Sequence, residues 1–359
     1  MDSAASLKPD TPSVVDDLPR GCTFDPADWR ILAQHYYPIA NERDLESGPV
    51  SAKLLDERLV IYRSGSEIVV AQELCPHRGV PLSMGKQVSD GVVCPYHGLR
   101  FGADGKCVSI PSHPTGSIPS KLNLKTYPAV VKYGLIWTCL RPGTATGAFA
   151  ETSICPMPHW DEEGYEQLVH PHYDVAGFAG RQVESFLDVA HIGFVHVDTF
   201  GDPDNVVIPP YPVEPNSTGF EVPYRSSLNN DPKEYAGESP DEFEWMRHYV
   251  VRLPFVVTLE IHFPGEKRYV MMNAASPVSA KQTRLFTPTT YNVETTATYD
   301  ENVEFYRRIC DEDREMVEAQ APESLPLDIT LEAHIPADRS SIAYRNGLRK
   351  LGLSHFFVA

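Results

Sequence analysis

Two short loops carry the residue types that bind metals. They read Cys75-Pro-His77-Arg-Gly79 and Cys94-Pro-Tyr-His97-Gly98, with 16 residues between His77 and Cys94. Each follows a strand-like run, where a turn can aim side chains inward. Two thiolates and two imidazoles suit either a zinc ion or an iron-sulfur cluster. The common zinc finger keeps its cysteines in one knuckle and its histidines on a helix, whereas here each loop supplies one of each. That arrangement fits a 2Fe-2S centre with two Cys on one iron and two His on the other. A zinc site and four unligated turn residues are the alternatives. In the cluster reading, Gly79 and Gly98 let backbone N–H groups approach bridging sulfides, and Pro76 and Pro95 stiffen the loops. Histidine ligation raises the reduction potential, which makes such a centre an electron relay. The seven cysteines are an odd number, which argues against a disulfide framework. Cys22, Cys107, Cys139, Cys155 and Cys310 have no His-paired spacing and read as small buried side chains.

A second group lies in Glu184-Ser-Phe-Leu-Asp188-Val-Ala-His191-Ile-Gly-Phe-Val-His196. On an ideal helix His191 and His196 diverge by roughly 140°. One metal can take both only if the helix bulges or ends near Gly193. A facial iron site needs two histidines and one carboxylate, and leaves positions open for oxygen. On a late helix, Val303, Tyr306, Ile309, Val317 and Gln320 form a stripe with a gap between Ile309 and Val317, and Asp313 fills it. A carboxylate on a buried face has to be paired or metal-bound, and an Arg partner is the alternative to a metal. Asp311, Glu312 and Glu315 fall off the stripe and read as solvated.

The elements that must position these groups belong to two domains, as expected for 359 residues. With 31 basic and 49 acidic residues the net charge is −18, which disfavours nucleic-acid binding. Thirty-two prolines and 23 glycines imply many turns rather than a helical bundle. Residues 1–26 read as a mobile tail. Residues 27–142 read as an all-β domain with hairpins at Leu59–Arg63/Glu67–Gln72 and Ala129–Lys132/Leu135–Leu140. A linker-like stretch at Arg141–Gly147 leads to an α+β domain over residues 143–359. Its expected elements are a helix over Arg181–His191, a long loop over Gly201–Asp241, and strands at Tyr249–Phe263, Arg268–Ala275 and Thr283–Thr290. A helix over Asp300–Gln320 follows. No phosphate-binding loop or dinucleotide fingerprint is present, so a nicotinamide is expected on a partner. No signal peptide or membrane-length apolar run occurs, and a soluble, cytoplasmic protein is expected.

From about Trp29 to Leu353 the chain resembles the catalytic α subunits of Rieske non-haem iron oxygenases. The CxH and CxxH loops match that family's cluster motif. Asp188, His191 and His196 match its Asp-x-x-His-x-x-x-x-His segment. Glu312, Asp313 and Arg314 match its late Glu-Asp-Arg helix, and Val317, Glu318 and Gln320 fit as well. Two positions depart: Leu99 stands where a Trp commonly follows the second His-Gly, and Ser185 where an Asn is common. The length and the segment Asp338-Arg-Ser-Ser-Ile-Ala-Tyr344-Arg345 look most like the α-only branch of demethylases and monooxygenases.

The resemblance implies an all-β Rieske domain followed by an α+β catalytic domain, helix-grip-like, with helices on an antiparallel sheet. It implies a 2Fe-2S cluster on Cys75, His77, Cys94 and His97, and mononuclear Fe(II) on His191, His196 and Asp313. Electrons would come from NAD(P)H through a reductase, with or without a ferredoxin, and O2 would be the oxidant. Asp188 would orient His191 and bridge to a cluster histidine, His97 being our choice, of the next subunit in a head-to-tail homotrimer. The implied substrate is an aromatic or other cyclic small molecule, hydroxylated on a methyl or methylene group, with formaldehyde lost where that carbon sits on O or N. Ring hydroxylation is the alternative, followed by an electron-transfer protein without oxygenase activity and by a zinc-stabilised binding module. Val189, Phe194 and the strands from Tyr249 to Thr290 are expected near the substrate. His113, His170, His172 and His334 read as surface or pocket residues, with the surface favoured for each.

Overall fold

Tight turns and short strands shape the first half of the computed structural model, which describes residues 18–142, 154–226 and 243–354. Helix α1 (Pro26–Leu32) starts at Asp25, whose carboxylate accepts the Ala27 N–H at 2.8 Å, and has Pro26 in its first turn. It buries Trp29 and Leu32. The expected tail lies outside the described residues as far as residue 17, but its last part is fixed. Thr23 donates to Asp56 from its N–H and its hydroxyl at 2.8 and 2.7 Å, and Phe24 is buried.

Strands β1 (Tyr37–Asn41), β2 (Val50–Leu54), β3 (Glu57–Ser64), β4 (Glu67–Gln72), β5 (Lys86–Val88), β6 (Gly91–Val93), β7 (Arg100–Phe101), β8 (Cys107–Ser109), β9 (Thr126–Tyr127), β10 (Val130–Lys132) and β11 (Leu135–Thr138) follow. They form three antiparallel sheets, ordered β1-β11-β10, β2-β3-β4-β9 and β5-β6-β7-β8. Both expected hairpins form, as β3–β4 and β10–β11. The loops after β4 and β6 carry the two Cys/His motifs. Between them a small core gathers Val60, Tyr62, Leu82, Leu99 and Phe101.

The second half is one nine-stranded antiparallel sheet with helices packed against it. Its strands are β12 (Glu166–Val169), β13 (Tyr173–Val175), β14 (Glu214–Pro215), β15 (Gly219–Ser226), β16 (Trp245–Arg252), β17 (Val256–His262), β18 (Arg268–Ser279), β19 (Gln282–Phe286) and β20 (Pro288–Tyr291). The main order is β12-β20-β18-β17-β16-β15-β14, with β19 beside β18 and β13 beside β19. The run read as one strand over Tyr249–Phe263 is two, because Pro254 lacks the N–H a ladder needs and the chain turns there. The run over Thr283–Thr290 is likewise split into β19 and β20. Strands β14 and β15 occupy part of the expected long loop, of which residues 227–241 lie outside the described ones.

Helices α2 (Ala179–Leu187), α3 (Ile192–Val195), α4 (Tyr299–Ala319) and α5 (Arg339–Lys350) complete the domain. Thr298 starts α4 with a capping box to Glu301. A buried ion cluster fastens α5 to α2. Arg345 Nε and Nη2 meet Glu184 at 2.6 and 2.8 Å, Arg345 Nη2 meets Glu332 at 2.6 Å, and Arg181 Nη2 meets Glu332 at 3.0 Å. Ser340 Oγ also donates to the Leu187 carbonyl at 3.0 Å, at the last residue of α2. The two domains share a core, in which Leu54 and Leu55 belong to the same cluster as Phe178, Phe255 and Leu325. The N–H groups of Leu55 and Asp56 bond to the carbonyls of Pro277 and Val278 at 2.7 and 3.0 Å. Of the linker-like stretch, residues 143–147 lie outside the described residues.

Candidate functional site

The two Cys/His loops repeat one turn. In the first, Gly79 N–H bonds to Cys75 O at 2.9 Å and Cys75 N–H to Val80 O at 3.0 Å. In the second, Gly98 N–H bonds to Cys94 O at 3.1 Å and Cys94 N–H to Leu99 O at 2.8 Å. Both glycines have φ near +70°, a region that other residues enter only at a cost. The N–H groups of the two glycines themselves close the turn.

Cys75 and Cys94 are buried, while His77 and His97 are exposed with ring centroids 4.6 Å apart. Burial pushes the Cys75 thiol up to about 11. N–H groups of His77 and Arg78 work against that rise, and the adjacent Cys94 thiol adds to it. Two neighbouring buried sulfurs behind two neighbouring imidazoles form a donor set that a two-iron cluster fits. Leu99 stays at 3% exposure in the small core, so the departure from Trp costs no burial there. Cys107, Cys139, Cys155 and Cys310 are buried as expected, and Cys22 is half-buried.

The second site depends on how α2 ends. Asp188 takes an extended conformation (φ −78°, ψ 118°), and its carboxylate accepts the Ala190 N–H at 2.7 Å. This local turn competes with another helical turn. His191 then caps α3, a single turn that finishes at His196. The helix expected through His191 thus stops at Leu187. The bulge or helix end expected near Gly193 does not occur, since Gly193 lies inside α3; the two histidines instead stand at the two ends of that single turn, which stops at His196 (φ −99°, ψ 25°). Close packing keeps the turn in place: a Cβ on Gly193 would lie 2.8 Å from Val206 Cγ1, and one on Gly201 would lie 2.3 Å from the Ile192 carbonyl.

His191 Nε2 and His196 Nε2 face each other at 3.2 Å, and Asp313 Oδ1 from α4 lies 3.4 and 3.2 Å from them. Among the described residues, this is the one group of three His, Cys, Asp or Glu side chains whose ligand atoms all lie within 4.8 Å of one another. Bonds of about 2.1 Å place neighbouring donors about 3.0–3.4 Å apart, depending on the angle between them, so the triad fits a metal ion. Asp313 Oδ1 is buried and makes no hydrogen bond, which also suits a ligand atom. Burial opposes charge on both His191 and Asp313. The carboxylates of Asp188 and Asp313 nevertheless raise His191 to about 9, and the two imidazoles hold Asp313 down to about 2. Asp188 Oδ2 stands 3.7 Å from His191 Nδ1, and the Asp188 side chain keeps 35% of its surface exposed.

One functional candidate was hidden from the sequence. Glu312, read as solvated, has its Oε2 at 2.7 Å from His196 Nδ1 and accepts the Thr199 hydroxyl at 2.8 Å. It fixes the far side of the imidazole and leaves Nε2 for a ligand. The signal available was its place beside Asp313, but only α4 packed against α3 turns it inward. Asp311 is not solvated either, since it accepts from the Tyr173 hydroxyl at 2.5 Å and meets Arg307 at 2.6 Å. Glu315 is exposed as expected.

The triad opens on a cavity of about 150 Å³. Alternate side chains of adjacent strands form one wall: Arg247 pairs with Ile261 and Ile261 with Tyr269, while Tyr249 pairs with Leu259 and Leu259 with Met271. Phe305, Tyr306 and Ile309 of α4 line the cavity from another side. Two expected neighbours are not there. Val189 is buried in the main core, and Phe194 is 67% exposed, because the break after Leu187 rotates both away from the cavity. His170, favoured for the surface over a pocket, is 2% exposed and lines the cavity; His113 and His172 are exposed, and His334 is half-buried. No helix among the described residues is long and apolar enough to cross a membrane.

Comparison with known proteins gives two family matches. Residues 35–128 match the Rieske [2Fe-2S] domain, and residues 179–353 match the vanillate O-demethylase oxygenase C-terminal domain. The methylxanthine N3-demethylase of Pseudomonas putida is 30% identical over 335 residues, covering 90% of each chain. The methylxanthine N1-demethylase of the same species is 28% identical over 331 residues, also covering 90% of each. The solved structure of that N1-demethylase with caffeine superposes with a TM-score of 0.78 at 27% identity, over 90% of this chain and 92% of the other.

Proposed function

Because the chain belongs to the Rieske non-haem iron oxygenases, as an oxygenase component of the demethylase and monooxygenase type, we propose that it removes a methyl group, as formaldehyde, from an oxygen or nitrogen of a cyclic small molecule. Components of this type carry a 2Fe-2S cluster and a mononuclear iron and work in multicomponent systems. The observation that carries the reading is the triad of His191, His196 and Asp313 at the wall of a mainly apolar cavity.

Cys75, His77, Cys94 and His97 would hold the cluster, and His191, His196 and Asp313 the mononuclear iron. When bound, these groups supply electron relay and O2 activation. The protein's part is to hold and enclose. Glu312 keeps His196 in one orientation, and the aromatic and aliphatic walls exclude water from the substrate. A methyl group hydroxylated on O or N then releases formaldehyde by collapse of the hemiacetal or hemiaminal, with no further acid or base needed. Asp188 is charged, partly exposed and next to His191. It would bridge to the exposed His97 of a neighbouring copy in a head-to-tail homotrimer. The electron donor would be an NAD(P)H-dependent reductase, with or without a ferredoxin, in the cytoplasm.

The test is product analysis with a surrogate reductase, NADH and O2 on methoxylated, N-methylated and unsubstituted rings. Formaldehyde released together with the demethylated compound is the expected result. A hydroxylated ring with every methyl group retained would overturn demethylation.

A further inference from the structure

His170 lies in the wall of the same cavity as the triad, and the described residues leave its hydrogen-bonding capacity unused. Although the residue is only 2% exposed, neither Nδ1 nor Nε2 has a hydrogen-bond partner. Buried polar atoms without partners are rare because leaving them dry and unpaired is costly. The ring packs on Tyr306 with centroids 4.3 Å apart, and the Tyr306 hydroxyl is tied to Thr287 at 2.5 Å. The His170 carbonyl accepts Asn41 Nδ2 at 3.0 Å, which fixes the backbone at the cavity wall, while no hydrogen bond holds the ring itself against turning.

Burial, followed by the charge of Arg43, lowers the His170 pKa to about 4. At neutral pH the ring therefore offers one N–H donor and one bare acceptor nitrogen. Most of the surrounding wall is apolar, with Phe186, Leu259, Ile261, Phe305 and Ile309 among its residues. A volume of about 150 Å³ is the size that takes one benzene-like ring.

We infer that His170 is a specificity residue: a turn of its side chain brings one of the two buried ring nitrogens to the cavity, where it hydrogen-bonds the carbonyl or N–H edge of an uncharged single-ring substrate, with the substrate's methyl group turned toward His191, His196 and Asp313. This rests on the oxygenase reading of the site and adds the kind of substrate it selects. A site that binds through such a hydrogen bond rejects an isostere lacking the polar group, because the buried histidine is then left unpaired.

The test uses the protein loaded with both metal groups and three probes. 1-Methyl-2-pyridone has a carbonyl beside its N-methyl, o-xylene has the same outline without a polar edge, and 2-methoxybenzoate is an anion. Binding is read by titration calorimetry, and turnover by formaldehyde release with a surrogate reductase. The wild type should favour the pyridone over o-xylene by about tenfold or more. His170→Phe, which can still stack on Tyr306, should lose that preference through weaker pyridone binding while iron content stays unchanged. His170→Asn should recover part of it, and His170→Leu is read in the same way as the Phe variant if that variant does not fold. Three results would overturn the inference: no preference in the wild type, a preference that survives in the apolar variants, or tightest binding of the benzoate. If the preference appears and is lost as expected but the pyridone is hydroxylated on its ring with the methyl group retained, the demethylase reading fails and the role of His170 stands.

Discussion

The four candidate cluster residues fall within one short stretch of sequence, from Cys75 to His97, on two loops that repeat the same glycine-closed turn. The candidate iron residues instead come from the chain around α3 and from α4, with His191 and Asp313 separated by 122 positions. The first site is half open, with its cysteines inside and its histidines exposed. The second is walled by aromatic and aliphatic side chains. In the proposed function the difference follows from what each site would do. A relay needs an edge that a partner can reach, whereas oxygen chemistry on a chosen C–H bond needs enclosure and a fixed substrate. Local turns are enough for the first, but the second exists only when a sheet, a broken helix and a distant helix meet.

If the two regions are separate sites, each should be removable without the other. His191→Ala or Asp313→Ala should abolish turnover and mononuclear iron while the 2Fe-2S absorption spectrum survives. Cys75→Ser or His97→Ala should abolish that spectrum and turnover, with iron still bound at the triad. Metal and acid-labile sulfide analysis beside the spectra checks both. Loss of both centres in a single ligand variant that remains folded would break the comparison.

Asp188→Asn probes the link between the regions. It keeps the size of the side chain and removes its charge, so both metal groups and the oligomer should be retained while product formed in a single turnover falls by about 100-fold. Size-exclusion chromatography and rapid-quench product analysis measure the two halves of that statement. Near-normal product would show that electrons do not pass by this carboxylate.

Glu312→Gln should have a smaller effect, confined to the second region. Iron affinity should drop by about 10-fold to 100-fold, because the amide holds the His196 ring less firmly and leaves it a poorer donor. Competition against a chelator of known affinity measures it, and the cluster spectrum should not change.

The mildest test is pH. In the metal-free protein His191 holds its proton up to about 9, and a metal must displace that proton. Fe(II) affinity of the iron-free protein should therefore rise by about tenfold per pH unit below 9 and level off above it. By the same linkage, the stability that the proton on His191 lends the metal-free fold is fully present below about 6.5 and is lost as the pH rises through 9. An affinity that does not change with pH would show that the His191 proton is not the one displaced.

Much of this protein was legible in its sequence. The Cys/His loops could be read because all four side chains depend on short-range spacing and on glycines that permit a positive φ. Strand-forming runs followed from β-branched and aromatic content, although two of the long runs are each two strands, and α4 followed from periodicity, with Asp313 standing out as a carboxylate in the gap of its apolar stripe. The sequence also indicated that one long regular helix cannot aim both His191 and His196 at a single metal.

Only the tertiary structure decided that the helix breaks before His191, so that the two histidines cap a short turn of their own. The break depends on the Asp188 carboxylate closing a turn onto Ala190 and on loop packing against Gly193 and Gly201. Packing also turned Glu312 from an apparent solvent residue into the partner of His196, and enclosed His170 in the cavity wall while leaving Phe194 outside. The physical reason is the same in each case. Periodicity reports which face of an element is buried, but the atoms that meet that face come from elements far away in the chain, and the sequence does not carry their positions.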